Sequence, residues 1–163
     1  MSKNKVLNRN NEPTEELQRS IVKVIDGVEY NYNEVYYLDF EVDENTGMVN
    51  KDHSVAHYTK DQVERNMKAH KTAYMIAKGS VAPTEIIEFR TKHKIAASAL
   101  SIILGFSKNT ISNIENDGIA SLATGRFIKV CLSNTSLLSE YIKSCSTLDI
   151  PKKNEILERI SVN

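Results

Sequence analysis

The feature that most constrains this chain is Gly105, which sits between two apolar-periodic runs in the stretch IAASALSIILGFSKNTISNIENDG, Ile95 to Gly118. A glycine there permits a tight turn in a conformation that a side chain would strain. The two runs therefore fold back as separate helices instead of continuing as one. Ala96 to Leu104 is the first, bringing Leu100, Ile103 and Leu104 into a core, with Phe106 plugging the corner. Ser107 to Asn116 is the second, with Ser107 expected as its N-cap and Ile111 and Ile114 pointing inward. Lys108, Asn109, Ser112 and Asn113 then share the opposite face, which is polar and holds nothing acidic or bulky.

Such a face suits the reading of base edges. Asparagine pairs bidentately with adenine, lysine donates to guanine acceptors, and the N-terminal end of a recognition helix is the part that reaches them. Residues 107–116 are thus expected to enter the major groove of double-stranded DNA, with Lys108, Asn109, Ser112 and Asn113 as base contacts. Phosphate contacts are expected from Lys92, Lys94, Ser107, Asn116 and Arg126, aided by backbone amides at the two helix N-termini. The plainer alternative is a solvated helix face.

Further helices surround the pair. Pro83–Lys94 precedes it; Leu122–Ser133 and Ser136–Ser144 follow, so that 83–145 reads as a five-helix module. The stretch 146–163 is a charged tail with room for one more helix, Lys152 to Ile160. Residues 1–18 are polar and carry Pro13, which suggests a flexible arm. Residues 19–79 form a strand and helix region for a partner or for dimerisation. Ser20–Ile25 and Val28–Tyr32 flank Asp26-Gly27 as a hairpin; Glu34–Val42 is another strand, and Asp43–Gly47 a turn. Thr59 and Gln62 have capping-box spacing and open a helix. Its stripe is Val63, Met67, His70, Tyr74 and Ala77, and Gly79 ends it.

Charge and composition narrow the function classes. The 21 basic and 21 acidic residues cancel, an unusual balance for a DNA binder. Their distribution is uneven: residues 83–145 hold seven basic and five acidic residues, residues 1–82 eleven and thirteen. No apolar run is long enough to cross a bilayer, and no signal-peptide segment opens the chain, so a cytoplasmic protein without a membrane partner is expected. Cys131 and Cys145 show no CxxC or Cys/His pattern and read as free thiols. His53 and His57 are four apart but lie in a stretch that does not read as a helix. No phosphate loop, nucleophile elbow or HExxH is present. No enzyme activity, catalytic residue, metal or cofactor is expected.

The central stretch resembles the lambda-repressor-like (Xre-type) helix-turn-helix family through Leu100, Leu104, Gly105, Ser107, Thr110, Ile111, Ser112, Ile114, Glu115 and Asn116. A closer resemblance is to antitoxins of bacterial toxin–antitoxin modules that carry an N-terminal ribbon-like domain. It rests on Ser101 to Phe106, Thr110, Glu115 and Gly118, and on a helix like Asp61 to Ala77 ahead of them, and spans roughly residues 35 to 145. Departures are Ala96 and Ala97 where the family has Ser-Gln, the extra Asp117, the apolar Ile102, and the lack of N-terminal cysteine pairs. The resemblance implies an α+β chain: a small N-terminal β-containing region plus a helix, then an all-α five-helix lambda-repressor-like DNA-binding domain. It also implies an antitoxin-type repressor that autoregulates its operon. The partners would be an operator and a toxin protein held by the N-terminal half; a homodimer is expected as well, because one short recognition helix gives little specificity. Leu137, Leu138, Tyr141 and Ile142, or Ile156, Leu157 and Ile160, are the candidate dimer surfaces or else monomer core. A phage or mobile-element repressor, or a protein-binding module on the same scaffold, are the alternatives.

Overall fold

A computed structural model describes residues 4–162. They divide into two compact units, one ending at Ala73 and the other beginning at Tyr74.

The first unit is built on strands. β1 (Lys5–Leu7) and β2 (Pro13–Glu15) form a small antiparallel hairpin. β3 (Leu17–Ile25), β4 (Val28–Val42) and β5 (Val49–His57) form an antiparallel sheet with β4 central. The β3–β4 register runs from Leu17 opposite Tyr36 to Ile25 opposite Val28, closed by Asp26-Gly27, both at positive φ as such a tight turn requires. β4 is one 15-residue strand where two were expected. β5 pairs only with Tyr37–Val42, and its register shifts beside Phe40 and Glu41.

α1 (Lys60–Ala77) opens with the expected capping box: the Gln62 amide N–H donates to the Thr59 hydroxyl at 3.1 Å, and Thr59 N–H donates back to Gln62 Oε1 at 3.0 Å. Only part of the expected stripe turns inward: His70 and Tyr74 are half-buried, but the two apolar residues ahead of them are not. Val63 is 43 % and Met67 66 % exposed, whereas Gln62 is fully buried and Asn66 and His70 are half-buried. The reason is polar. β4 lacks a β5 neighbour from Val28 to Tyr36, and backbone groups left there need partners. The Asn66 side chain accepts the Val35 N–H at 2.8 Å and donates to the Val35 carbonyl at 2.9 Å, the pair of bonds that a strand residue would make. Gln62 Nε2 donates to Glu16, which is also bound by Arg65. His70 Nε2 lies 2.6 Å from the Tyr30 hydroxyl, and its ring stacks on Tyr32.

The second unit is helical: α2 (Pro83–His93), α3 (Ala97–Ile103), α4 (Thr110–Asp117), α5 (Leu122–Ser133), α6 (Thr135–Ser144) and α7 (Ile150–Ser161). Its core runs from Val81 to Ile160 in one cluster, with Ile86, Leu100, Ile111, Ile128, Leu138 and Ile142 fully buried. Gly125 lets α5 approach the Ser80 turn. A Cβ there would fall 1.9 Å from Ser80 Oγ, and the Gly125 carbonyl accepts the Val81 N–H at 3.0 Å.

The expected plan of a small β region and helix followed by an all-α five-helix domain is therefore corrected. The described chain is α+β with seven helices and two sheets, and the three-stranded sheet runs from Leu17 to His57. The stretch read as an arm carries β1 and β2, because the Asn8 side chain gathers the Asn10 and Glu12 amides into a tight turn. The stretch read as a tail carries α7. Asp149 caps it by accepting the Lys152 N–H, Pro151 stands in its first turn, and Ile156 and Ile160 are buried in the core. Leu138 and Ile142 are buried too, so these candidate dimer residues are monomer core.

Candidate nucleic-acid interface

The α3–α4 pair has the turn that the sequence anticipates. Gly105 takes φ +82°, its N–H donates to the Ile102 carbonyl, and Phe106 N–H donates to the Ser101 carbonyl at 2.9 Å. Phe106 lies edge-on to Phe127, 5.9 Å between centroids, and Phe127 meets Tyr141 in turn. Ile111 and Ile114 are buried as the spacing requires. Gly118 closes α4 at φ +90°.

The start of the helix differs from expectation. α4 begins at Thr110, three residues after Ser107, and Lys108 and Asn109 lie in the turn before it. Ser107 is not the N-cap. Its carbonyl accepts the Thr110 N–H at 3.0 Å, closing that turn, and its hydroxyl meets the Thr110 hydroxyl at 2.9 Å. Asn109 holds the cap position without a side-chain bond to the helix.

Lys108, Asn109, Asn113 and Asn116 are exposed, and Ser112 is half-buried with its hydroxyl donating to the Asn109 carbonyl at 2.9 Å. Asn109, Asn113 and Asn116 fall on the side of α4 opposite Ile111 and Ile114. Asp117, also exposed, puts an acidic group at the C-terminal end of that side.

The phosphate candidates separate. Lys94 is the left-handed cap of α2, with its backbone at φ 52° and an exposed side chain. Lys92 lines a groove between α2 and α5. Arg126 is exposed, but its Nε and Nη2 both donate to the Lys78 carbonyl, at 2.8 and 2.6 Å, where they cap α1. The N-cap position of α3 is Ala96, which offers no side-chain acceptor.

Two polar anchors fix α4, and the sequence reading assigned neither. Arg90 of α2 grips Glu115 with two bonds, Nε to Oε1 at 2.6 Å and Nη2 to Oε2 at 2.8 Å, and its Nη1 donates to the Ile95 carbonyl at 3.0 Å. The Glu115 carboxylate pushes the already high Arg90 value further up, against the opposing effect of burial. Ser101, fully buried, accepts the Ile111 N–H at 3.0 Å and donates to the Ala97 carbonyl at 2.9 Å, tying α3 to the first turn of α4. The available signal for the first anchor was an acidic residue directly after the inward-facing Ile114, and for the second a serine beside Leu100 in an apolar run.

Charge also separates by unit. Residues 74–163 contain eleven basic and eight acidic residues, and residues 1–73 ten and thirteen. Most cations of the helical unit are engaged with Glu115, Glu85, Glu140, Glu155 or backbone carbonyls. Among the described residues Lys92, Lys94 and Lys108 make no ion pair.

In the first unit His57 lies 3.7 Å from Asp39, which Arg9 also approaches at 2.6 Å; His53 lines the same open cavity. Among the described residues no group of three histidine, cysteine, aspartate or glutamate side chains is placed to hold a metal ion. None of the described helices is long and apolar enough to cross a membrane. Burial pushes the Cys131 thiol up from its ordinary value. In comparison with known proteins, no family model and no curated protein matches this chain, so the reading of the site rests on its geometry.

Proposed function

We propose that this chain is a sequence-specific DNA-binding regulator that inserts α4 and the turn before it into the major groove. Lys108, Asn109, Ser112 and Asn113 face the base edges in this reading, and Lys94, Ser107 and Asn116 face phosphates. One observation carries it. The amide and ammonium groups at 108, 109 and 113 stand in solvent on an element whose inner side is pinned by Ile111, Ile114, Ser101 and the Arg90–Glu115 clamp. Rigid presentation of donors and acceptors is what base readout needs. The role is repression, of the antitoxin type in which the strand-bearing unit covers a toxin protein.

The test is a gel shift with duplex DNA from upstream of its own gene at two salt concentrations. Lys108→Ala and Asn113→Ala should each weaken the preferred site by about 1–3 kcal/mol, and Lys94→Ala should weaken all duplexes alike and flatten the salt slope. Unchanged affinity in the first two variants defeats the proposal. The bare Ala96 cap, the engagement of Arg126 at Lys78 and the exposed Asp117 favour a second reading, a protein-binding module on this scaffold. That reading predicts no shift of any duplex at low salt.

A further inference from the structure

We infer that α7 is part of the DNA-binding apparatus, with Arg159 as the positioning residue that holds Lys94 where it meets a phosphate. α7 has this role only if the DNA reading holds, and it lies outside the 83–145 module. Lys94 ends α2 at φ 52° and ψ 47°, the left-handed conformation in which a side chain crowds the backbone and glycine is the usual occupant. The Lys94 side chain is exposed, and among the described residues it makes no ion pair. A strained residue whose charge has no partner within the fold points to a use outside it.

Two guanidinium groups hold the turn. Arg90 Nη1 donates to the Ile95 carbonyl at 3.0 Å, and Arg159 Nη1 reaches from α7 to donate to the Lys94 carbonyl at 2.8 Å. Arg159 is itself fixed. Glu155, one turn earlier on α7, accepts from its Nη2, and Ile156 and Ile160 anchor the helix in the core. A planar guanidinium can serve a carboxylate and a carbonyl at once. A second link joins the same parts: His93 Nδ1 lies 2.9 Å from the Arg159 carbonyl, and the buried His93 ring packs on Phe89 with 4.5 Å between centroids. The Lys94 N–H is given to the Arg90 and Thr91 carbonyls. With both backbone groups bound, the direction in which the Lys94 side chain leaves the turn is fixed. Because Arg90 also grips Glu115, that direction is tied to α4.

Gel shifts of the full chain at several salt concentrations, read beside thermal melting, test this. The probe is the duplex from upstream of its own gene. Lys94→Ala should weaken binding at least about threefold at about 0.1 M salt and lower the slope of log affinity against log salt by about one. Arg159→Gln should do the same, with helical circular dichroism as the control. The double variant should bind no worse than Lys94→Ala alone, because Arg159 acts through Lys94. Lys94→Gly separates use from packing. It should bind as weakly as Lys94→Ala, yet melt about 2–8 °C above the wild type because the strain is gone. That arm stands whether or not Arg159→Gln folds. An unchanged slope in Arg159→Gln, additive losses in the double variant, or a Lys94→Gly that binds like the wild type or melts no higher would each overturn the inference. A wild type that shifts no duplex at low salt sinks the DNA reading itself. A wild type that binds while Arg159→Gln keeps its slope sinks the part given to α7 alone.

Discussion

In the helical unit, buried apolar side chains form one cluster from Val81 to Ile160; in the strand-bearing unit Tyr30 and Tyr37 are the buried apolar residues among those described. What the second unit gains from dispersion and water release, the first replaces with directed polar contacts: Asn66 on the β4 edge, Gln62 and Arg65 on Glu16, and His70 between Tyr30 and Tyr32. Apolar side chains at the ends of its hairpins, among them Val22, Val24, Val42, Met48 and Val49, are left in solvent. The contrast teaches that a short helical domain can hold an exposed polar face in place because its interior is one close-packed apolar cluster. The sheet unit, with little core, depends on a few hydrogen bonds and exposes the kind of surface that partners cover.

The comparison breaks most visibly in the helical core. Leu138→Ala, at a fully buried position, should cost about 2–5 kcal/mol in denaturant unfolding followed by the helical signal. A cost under about 1 kcal/mol would show that this core does not hold the helical unit together. In the sheet unit the sensitive position is polar. Asn66→Ala removes both bonds to Val35 and should cost about 1–3 kcal/mol, whereas the neighbouring Met67→Ala, at a largely exposed position, should cost less than about 0.5 kcal/mol. Equal costs would restore the apolar stripe as the inner face. Tyr30→Phe, which deletes the 2.6 Å contact to His70, should cost about 0.5–1.5 kcal/mol.

The smallest effect is a matter of pH. Glu16 is held below its ordinary value of 4.5 chiefly by its hydrogen bond from Arg65, and Glu85 below the same value chiefly by the Ala82 amide and then by Lys129. A depressed carboxylate contributes its stability above the unfolded value, and that contribution is lost as pH falls through the folded one. Both units should therefore weaken below about pH 4.5, but the first has no large core to fall back on. Five of the seven tyrosines, Tyr30, Tyr32, Tyr36, Tyr37 and Tyr58, lie in it. Acid titration should show the tyrosine near-ultraviolet signal changing at higher pH than the helical signal. Glu16→Gln should flatten that early step, and coincident transitions would remove the distinction between the units.

Local rules carried much of the fold. The Asp26-Gly27 hairpin, the Thr59–Gln62 capping box, the break at Gly105 and the inward turn of Ile111 and Ile114 are each visible in a few adjacent residues, because each depends on chain geometry within one or two turns. The inner face of α1 was legible only at His70 and Tyr74. Periodicity favours Val63 and Met67, and only the missing strand beside Val35 makes Asn66, and only the Glu16 carboxylate makes Gln62, the better occupant. The start of α4 was displaced for a similar reason: the Ser107 hydroxyl found Thr110, and the first amide of the inward turn found Ser101, ten residues away.

The amino-acid order by itself thus determined the turns at Asp26-Gly27 and Gly105, the helices on either side of Gly105, and which polar side chains stand opposite Ile111 and Ile114. Tertiary structure decided the rest: that residues 5–15 are a hairpin and 150–161 a core helix, that Arg90 closes on Glu115, that Arg126 serves Lys78, and that Lys92 belongs to a groove. The physical reason is that propensity and periodicity act over a few residues, whereas a buried donor, acceptor or charge is satisfied by whichever partner the folded chain brings within about 3 Å, however distant in sequence.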